Sequence, residues 1–208
     1  MNALQTLALA LGTSFASGIN LYATVAALGL LDRFEVFQLP SSLAVLANPY
    51  VIGIAAALYV VEFAADKVPY VDNAWDLVHT FIRPSAAAVL AYGAFAEMPD
   101  AYRVIAALLA GGVALTSHSS KASTRAAINA SPEPVSNWIL SLLEDGLAFV
   151  LTFLAVTHPL LTIGLVIVLL ALSTFVLVKL FSFFRRRFKR KPSHISEEKH
   201  LIQGGAKS

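Results

Sequence analysis

The sequence predicts an all-α protein, a polytopic membrane helix bundle with about six transmembrane helices. Of its 208 residues, 57% are hydrophobic and 13% are charged, whereas soluble domains are roughly 45–50% apolar and about 25% charged. The apolar residues also fall in long blocks rather than in short amphipathic periods, as expected for helices that face lipid. Composition and pattern therefore both point to the bilayer.

Several classes of site are excluded or unsupported. The chain has no cysteine, so it has neither a disulfide framework nor a thiolate metal site or nucleophile. It contains no phosphate-binding glycine loop, nucleotide fingerprint or His-Glu-x-x-His zinc motif. We predict no cofactor and no metal.

The first apolar block covers residues 3–31 and is expected to remain as a helix, because no basic residue precedes Arg33 to form a signal peptide. As one helix it would be roughly 40 Å long, more than the ~30 Å hydrocarbon core requires. Its interior reads GTSFASGIN, ending at Asn20. This stretch predicts either a break in the helix or close packing of small residues against a neighbour.

Five further blocks follow, and a polar segment separates two of them. The predicted blocks are 49–65, 81–98, 101–129 if the helix continues through its polar end, 135–156 and 160–184, with 66–82 as an interfacial amphipathic segment. Together, residues 1–184 form the membrane domain, and 185–208 a basic, disordered tail. The run RRRFKRK places the C-terminus in the cytoplasm, and six spans place the N-terminus there as well.

The two halves, 1–98 and 101–184, could be inverted three-helix repeats with interrupted first helices. The stretch LTSHSSKAST in the fourth block would correspond to GTSFASGIN in the first. Pro49 precedes Glu62 by thirteen positions, and Pro132 precedes Asp145 by thirteen. Paired interrupted helices of this kind are a sequence indicator of a transport site near the midplane.

Four acidic residues are candidates for proton or cation coupling. Glu144 and Asp145 lie inside the fifth block, where burial of a carboxylate costs at least ~2.5–3.5 kcal/mol. Adjacent helical residues point about 100° apart, so at most one is expected to face a central cavity. The alternative for Glu144 and Asp145 is a block that starts later and leaves them at an interface. Glu62 and Asp66 share a helix face, and for them salt bridges to nearby cations are an equally open interpretation.

Two polar stripes occur at helical spacing. Asp72, Asp76 and His79, together with Arg83, form a cluster in the interfacial segment that we interpret as a solvated face, since two carboxylates and an imidazole are a weak metal signal. The second stripe comprises candidates for binding an anionic group. They are His118, Lys121 and Arg125, with Ser120 beside them and Asn20 from the first interrupted helix. The alternative for this second stripe is a cytoplasmic loop that follows the positive-inside rule.

Three long stretches resemble one known family. They are SGINLYATVAALGLL, YVVEFAADKVPYVDNAWDLVHTFIRP and SHSSKASTRAAINASPEPVSNWILSLLEDGLAF. They are similar to the bacterial membrane proteins grouped as domain of unknown function 4126, over about residues 9–153, with the sixth block and tail outside. The resemblance implies a multi-span protein of the bacterial inner membrane and supplies no activity.

Two functional hypotheses follow. The first is a small secondary transporter or channel-like protein for an anionic solute or lipid headgroup, with proton coupling. The alternative is a non-transporting membrane protein, either a lipid-acting enzyme or an assembly factor. The expected partners are the bilayer and the anionic solute or headgroup, not nucleic acid, and a homo-oligomer is left open.

Overall fold

The computed structural model describes residues 1–129 and 134–189, and this part of the chain is helical and without strands. Its elements are α1 (Ala3–Ile19), α2 (Leu21–Arg33), a 3-10 helix (Ser41–Ala47), α3 (Pro49–Ala65), α4 (Pro69–Ala94), α5 (Asp100–Asn129), α6 (Pro134–Thr157) and α7 (Pro159–Lys189). Four of the α-helices begin at proline, whose fixed φ suits a first turn and whose missing N–H is not needed there. The all-α prediction is confirmed.

Helix α1 lies at the centre of the bundle, in contact with α2, α4, α5, α6 and α7. It can be enclosed because its buried face consists mainly of small residues. A Cβ added to Gly12 would lie 2.7 Å from the Ala155 Cβ, and one added to Gly18 would lie 1.8 Å from the Ser117 Oγ. Helix α1 ends at Ile19 and α2 starts at Leu21, so GTSFASGIN both packs closely and breaks the helix.

The outer surface of the bundle is strongly apolar. Exposed side chains include Ile54 of α3, Leu108 and Leu109 of α5, and Leu172 and Phe175 of α7. Three helices are long and apolar enough to cross a membrane, namely Asp100–Asn129, Asn137–Thr157 and Pro159–Phe183. The 3-10 helix and α3, which meet at a bend of 63°, would make a fourth span if counted together. These features indicate an integral membrane protein, while the count of six spans stays a prediction.

Two predictions about helix continuity differ from the structure. Helix α5 runs unbroken through LTSHSSKAST, so the predicted interruption of the second half is wrong. The Thr116 and Ser117 hydroxyls bond to carbonyls of their own helix, as in the 2.8 Å bond from Thr116 Oγ1 to the Gly112 oxygen, and α5 stays continuous. Helix α4 joins most of the predicted interfacial segment to the third block in one helix that tolerates Pro84. Pro132 and residues 190–208 lie outside the described residues.

Candidate functional site

Polar side chains from four helices and from the α1–α2 break meet at one end of the bundle. This is the end where α3 leads into α4 and α5 leads into α6. We call this group the polar network. Its members are Asn20; Glu62 and Asp66; Asp72, Asp76, His79 and Arg83; His118, Lys121 and Arg125; and Asn137, Ser141, Glu144 and Asp145. All but Glu144 are buried.

Asn20 occupies the break between α1 and α2. Its backbone is extended (φ −147°, ψ 101°), and its Oδ1 accepts a hydrogen bond of 2.9 Å from the Ala23 N–H, which caps α2. Its Nδ2 donates to Asp145 Oδ1 at 2.9 Å. The one side chain therefore starts a helix and links the break to α6.

Arg83 of α4 binds the other side of the break. Its Nη1 donates to the carbonyl oxygens of Gly18 and Ile19, both at 2.9 Å. These carbonyls belong to the C-terminal end of α1, which carries a partial negative charge that a cation stabilises. Arg83 Nη2 donates to Glu62 Oε1 at 2.6 Å and lies 3.7 Å from Asp76 Oδ1.

Lys121 of α5 is surrounded by oxygen atoms. Its Nζ donates to the Ile19 carbonyl at 3.0 Å. It lies 3.5 Å from Glu62 Oε1, 3.5 Å from Asp66 Oδ2 and 3.8 Å from Glu144 Oε2. One ammonium group thus contacts a carbonyl at the helix break and three carboxylates from two helices.

Arg125 sits one turn further along α5 and is also fully buried. Its Nε and Nη2 donate to Glu144 Oε2 at 3.0 and 2.5 Å, and Nη2 also donates to Asp66 Oδ2 at 2.9 Å. Its Nη1 donates to Asn137 Oδ1 at 2.8 Å and to the Asp66 carbonyl at 3.2 Å, with Asp72 Oδ2 at 3.9 Å. Arg125 therefore fastens α3, α4 and α6 to α5.

The hydrogen bonds assign the tautomers of the two histidines. His118 Nδ1 lies 3.0 Å from Arg83 Nη1, and because a guanidinium only donates, this ring nitrogen is the acceptor and His118 is neutral. Its Nε2–H is left to donate to the Asp76 carbonyl at 3.0 Å. His79 Nδ1 donates to the Trp75 carbonyl at 2.8 Å, and its Nε2 lies 3.0 Å from the Tyr22 hydroxyl.

Acidic groups outnumber basic groups in the network. Six carboxyl groups face the three buried cations, and Lys67 at the margin of the network is a fourth cation. Among the described residues, both oxygens of Asp76 and one each of Glu62, Asp66 and Asp72 are buried without a hydrogen-bond partner. A buried carboxylate without such partners is costly, so the network as a whole favours bound protons or a bound cationic group.

Two acids just outside the candidate spans differ in how their surroundings act on them. Burial raises the pKa of Asp66, but the charges of Lys121 and Arg125 outweigh it, and the pKa is held below its usual value. Burial dominates at Asp72 and raises its pKa to about 6, despite the hydrogen bond from Asn129 and the charge of Arg125. Of these two acids, Asp72 therefore keeps its proton to the higher pH.

The structure brings together almost all of the site residues predicted from the sequence. Ser120 is the exception, since it is half-buried and makes no hydrogen bond to the network among the described residues. The cluster of Asp72, Asp76, His79 and Arg83 is buried rather than solvated, because the same face of α4 packs on polar groups of α1, α3 and α5. The described residues contain no group of three or more potential ligands arranged to hold a metal ion.

The acids also pair differently from the expectation. Glu144 contacts Arg125, whereas Asp145 contacts Asn20 and accepts a 3.4 Å hydrogen bond from Tyr59, so both adjacent acids take part. Lys67 does not pair directly with Asp66.

Lys67 instead donates at 2.8 Å to Ser141. The Ser141 hydroxyl in turn donates at 3.3 Å to Asp66 Oδ2.

Two network residues on α6 were missed by the sequence reasoning. Asn137 and Ser141 both contact Asp66, through its carbonyl and its carboxylate respectively. They lie at i and i+4, with Glu144 and Asp145 at i+7 and i+8, which is one stripe of a helix. That spacing is present in SNWILSLLED and is the signal in the sequence that places all four side chains on one face.

Comparisons with known proteins agree with the resemblance and extend it. No curated protein and no solved structure matches the chain. The family described as Domain of unknown function (DUF4126) matches residues 7–179, which includes most of α7, so the expectation that the sixth block lies outside the family is wrong. The match spans the whole polar network, and the chain belongs to the DUF4126 family.

Proposed function

We propose that this membrane protein is a small secondary transporter or channel-like protein, which couples the movement of a small anionic solute to protons. The observation that carries the proposal is the polar network itself, with six carboxyl groups, five of them buried, and fewer cations, built around a broken helix. A network of this cost is expected where ionisable groups serve a pathway.

The broken helix supports a binding role. Discontinuous helices in transporters place unpaired backbone groups and partial charges where a solute or ion binds. Here the carbonyls of Gly18 and Ile19 are occupied by Arg83 and Lys121. The break thus holds two cationic side chains in place, and cationic groups of this kind attract an anionic solute.

The excess of acids supports the coupling role. If all six carboxyl groups were ionised, the four cations would leave the network with two negative charges in a region of low dielectric constant. Uptake of protons by the network removes that charge, and a solute anion that enters with a proton adds none. Coupling to protons then follows from charge balance.

The topology belongs to the same proposal. Helices α1 and α2 turn back at Asn20, because Met1 and Thr6 at the start of α1 lie beside Leu39 and Ala94, at the end of the bundle away from the polar network, so the two helices do not form one span. The basic tail places the C-terminus in the cytoplasm. The polar network then lies toward the cytoplasmic side of the bundle.

The first helices of the predicted halves 1–98 and 101–184 run in the same direction. Ala10 lies in one cluster with Ala110, and the Ile19 carbonyl accepts a hydrogen bond from Lys121. The proposal therefore does not include inverted repeats.

Flux through proteoliposomes tests the transport function. Vesicles containing purified protein and an internal pH-sensitive dye receive pulses of phosphate, gluconate or succinate under an inward proton gradient. We expect protein-dependent acidification with at least one anion, and a rate at least tenfold lower for Glu144→Gln and Lys121→Gln. Glu97→Gln and Lys179→Gln, which change exposed residues, serve as matched controls. Equal rates in wild-type, variant and empty vesicles contradict transport.

One observation favours the alternative of a non-transporting protein whose charges hold helices together. Each of the buried cations Arg83, Lys121 and Arg125 is already paired with a carboxylate. Exchanging the charges of one pair, as in Arg125→Glu with Glu144→Arg, separates the two roles. An assembly role predicts that the double variant regains both folding and cellular function, whereas transport predicts a folded protein that stays inactive.

A further inference from the structure

The guanidinium of Arg125 holds a carboxylate of the protein in the way that it would hold a carboxylate of a solute. Two of its N–H groups, on Nε and Nη2, converge on Glu144 Oε2 at 3.0 and 2.5 Å. Lys121 Nζ lies 3.8 Å from the same oxygen. An arginine edge supported by an ammonium group is a strong carboxylate site.

Both cations are held in place by groups other than Glu144. Arg125 Nη1 is fixed by Asn137 Oδ1 and the Asp66 carbonyl, and Nη2 is also fixed by Asp66 Oδ2. Lys121 is anchored by the Ile19 carbonyl at 3.0 Å. If Glu144 left, the site would keep its shape and its positive charge, which is the preorganisation that a binding site needs.

Glu144 is the acid of the network best able to leave. Its side chain is 11% exposed, compared with 0% for Glu62 and 1% for Asp66. Among the described residues its hydrogen bonds come from Arg125 alone, whereas Asp66 is also held by Ser141. The glutamate side chain has three rotatable bonds, so it can swing off Arg125 without movement of α6.

We propose that Glu144 is an internal competitor for a small carboxylate solute. Its carboxylate occupies the binding position on Arg125 and Lys121, which we call the seat, and the solute replaces it there when Glu144 becomes protonated. This inference rests on the proposed transport function and specifies its binding step. Glu144 takes one proton from solution and releases Arg125, and the carboxylate of the solute takes its place. One negative charge is lost and one is gained, so the charge of the network does not change.

The other charged groups around Glu144 bear on its proton uptake. Lys121 and Arg125 of α5 oppose protonation, while Asp66, at the end of α3, favours it. Asp145 follows it on α6 and bonds to Asn20. An incoming anion removes the advantage of an ionised Glu144, because both compete for the same two cations. Binding of the solute and binding of the proton are therefore linked.

Formate is the smallest probe of this seat. Its binding to the full-length protein in detergent is measured by calorimetry in two buffers of different ionisation enthalpy, which gives the number of protons taken up. For the wild type we expect that one proton is taken up for each formate bound. At pH values above the one at which Glu144 loses its proton, the affinity for formate should fall tenfold per pH unit. For Glu144→Ala we expect no proton uptake and an affinity at least tenfold higher at pH 8.

Control variants test whether formate binds at the seat and not elsewhere on the protein. Arg125→Gln should abolish formate binding in both backgrounds, Glu97→Ala should behave as wild type, and formate should raise the melting temperature of Glu144→Ala. Proton uptake that persists in Glu144→Ala, or pH-independent binding in the wild type, overturns the proposal. The seat belongs to a lipid headgroup instead if phosphatidylserine nanodiscs block formate binding to Glu144→Ala and phosphatidylcholine nanodiscs do not.

The outcome is distinct from that of the flux experiment. Proton-linked formate binding without any anion flux refutes transport and keeps the exchange at Glu144. Flux with formate binding that ignores pH refutes the exchange and keeps transport.

Discussion

Two polar stretches of similar composition have opposite effects on their helices. GTSFASGIN ends in a break between α1 and α2, whereas LTSHSSKAST lies inside the continuous helix α5. Hydroxyl groups in both stretches bond back to carbonyls of the preceding turn, as Thr13 does at 2.7 Å and Thr116 at 2.8 Å. Hydroxyl content therefore does not decide whether a helix breaks.

The difference lies in what satisfies the backbone. At the break, Asn20 caps α2, and Arg83 and Lys121 take up the freed carbonyls of α1. The charged and imidazole side chains of α5 bond to other elements, as Lys121 and Arg125 do, and α5 itself stays continuous. A break inside a bundle thus needs partners from elsewhere in the fold, and α5 supplies one of them to α1.

The largest expected effect comes from removing the cation that α4 supplies to the break. Arg83→Met leaves two carbonyls and Glu62 buried without their strongest donor. Removing one partner of a buried ion pair typically costs about 3–5 kcal/mol. Thermal unfolding in detergent should show a large loss of stability, while Arg103→Met, which removes a pair with the 84% exposed Asp100, should cost about 1 kcal/mol or less. Equal losses would mean that the break does not depend on Arg83.

A second comparison uses two glycines, one at each polar stretch. A Cβ on Gly18 would lie 2.4 Å from the Ala114 carbonyl oxygen, whereas one on Gly112 meets nothing within 4 Å. Gly18→Ala should force α1 and α5 apart and destabilise by about 1–3 kcal/mol. Gly112→Ala should stabilise by about 0.5–1 kcal/mol, because alanine is the better helix former. Chemical denaturation gives both values, and effects of the same sign would contradict the close contact of α1 with α5.

Asn20 and Asn48 are the same residue at two helix N-termini. Asn48 caps α3 at the surface through a 2.9 Å bond to the Tyr50 N–H, whereas Asn20 both caps α2 and donates to Asp145. Replacing either by alanine should cost about 0.5–2 kcal/mol for the cap. Asn20→Ala should cost about 1 kcal/mol more for the lost bond to Asp145. Unfolding free energies of the two variants test this, and a smaller loss for Asn20→Ala would contradict its link to α6.

The sequence predicted the positions of the helices better than the residues that their polar faces contact. Apolar blocks and prolines located α3 at 49–65, because span length and first-turn chemistry are local properties. The stripe from Asp72 to Arg83 was recognised as one face of a helix but misassigned to solvent. Its periodicity shows that side chains share a face, and only distant residues such as Glu62 and His118 determine what that face meets. The break at Asn20 depends on distant partners in the same way.

The smallest expected effect concerns Asp72 of α4. Asn129, at the end of α5, donates a hydrogen bond of 2.8 Å to its carboxylate. Because burial raises the pKa of Asp72 from 3.8 to about 6, the folded state binds its proton more tightly than the unfolded state. The resulting stability is fully present below pH 3.8 and is lost as the pH rises through about 6.

Asp72→Asn stays neutral at every pH and should lack this loss. Its melting temperature relative to the wild type should therefore be higher at pH 7.5 than at pH 4, by about 2–4 °C for each kcal/mol in a chain of this length. Asn73→Ala, which changes a neighbour that does not titrate, should keep the wild-type dependence on pH. A relative melting temperature that falls between pH 4 and pH 7.5 would mean that the charge of Arg125, 3.9 Å away, outweighs the burial of Asp72.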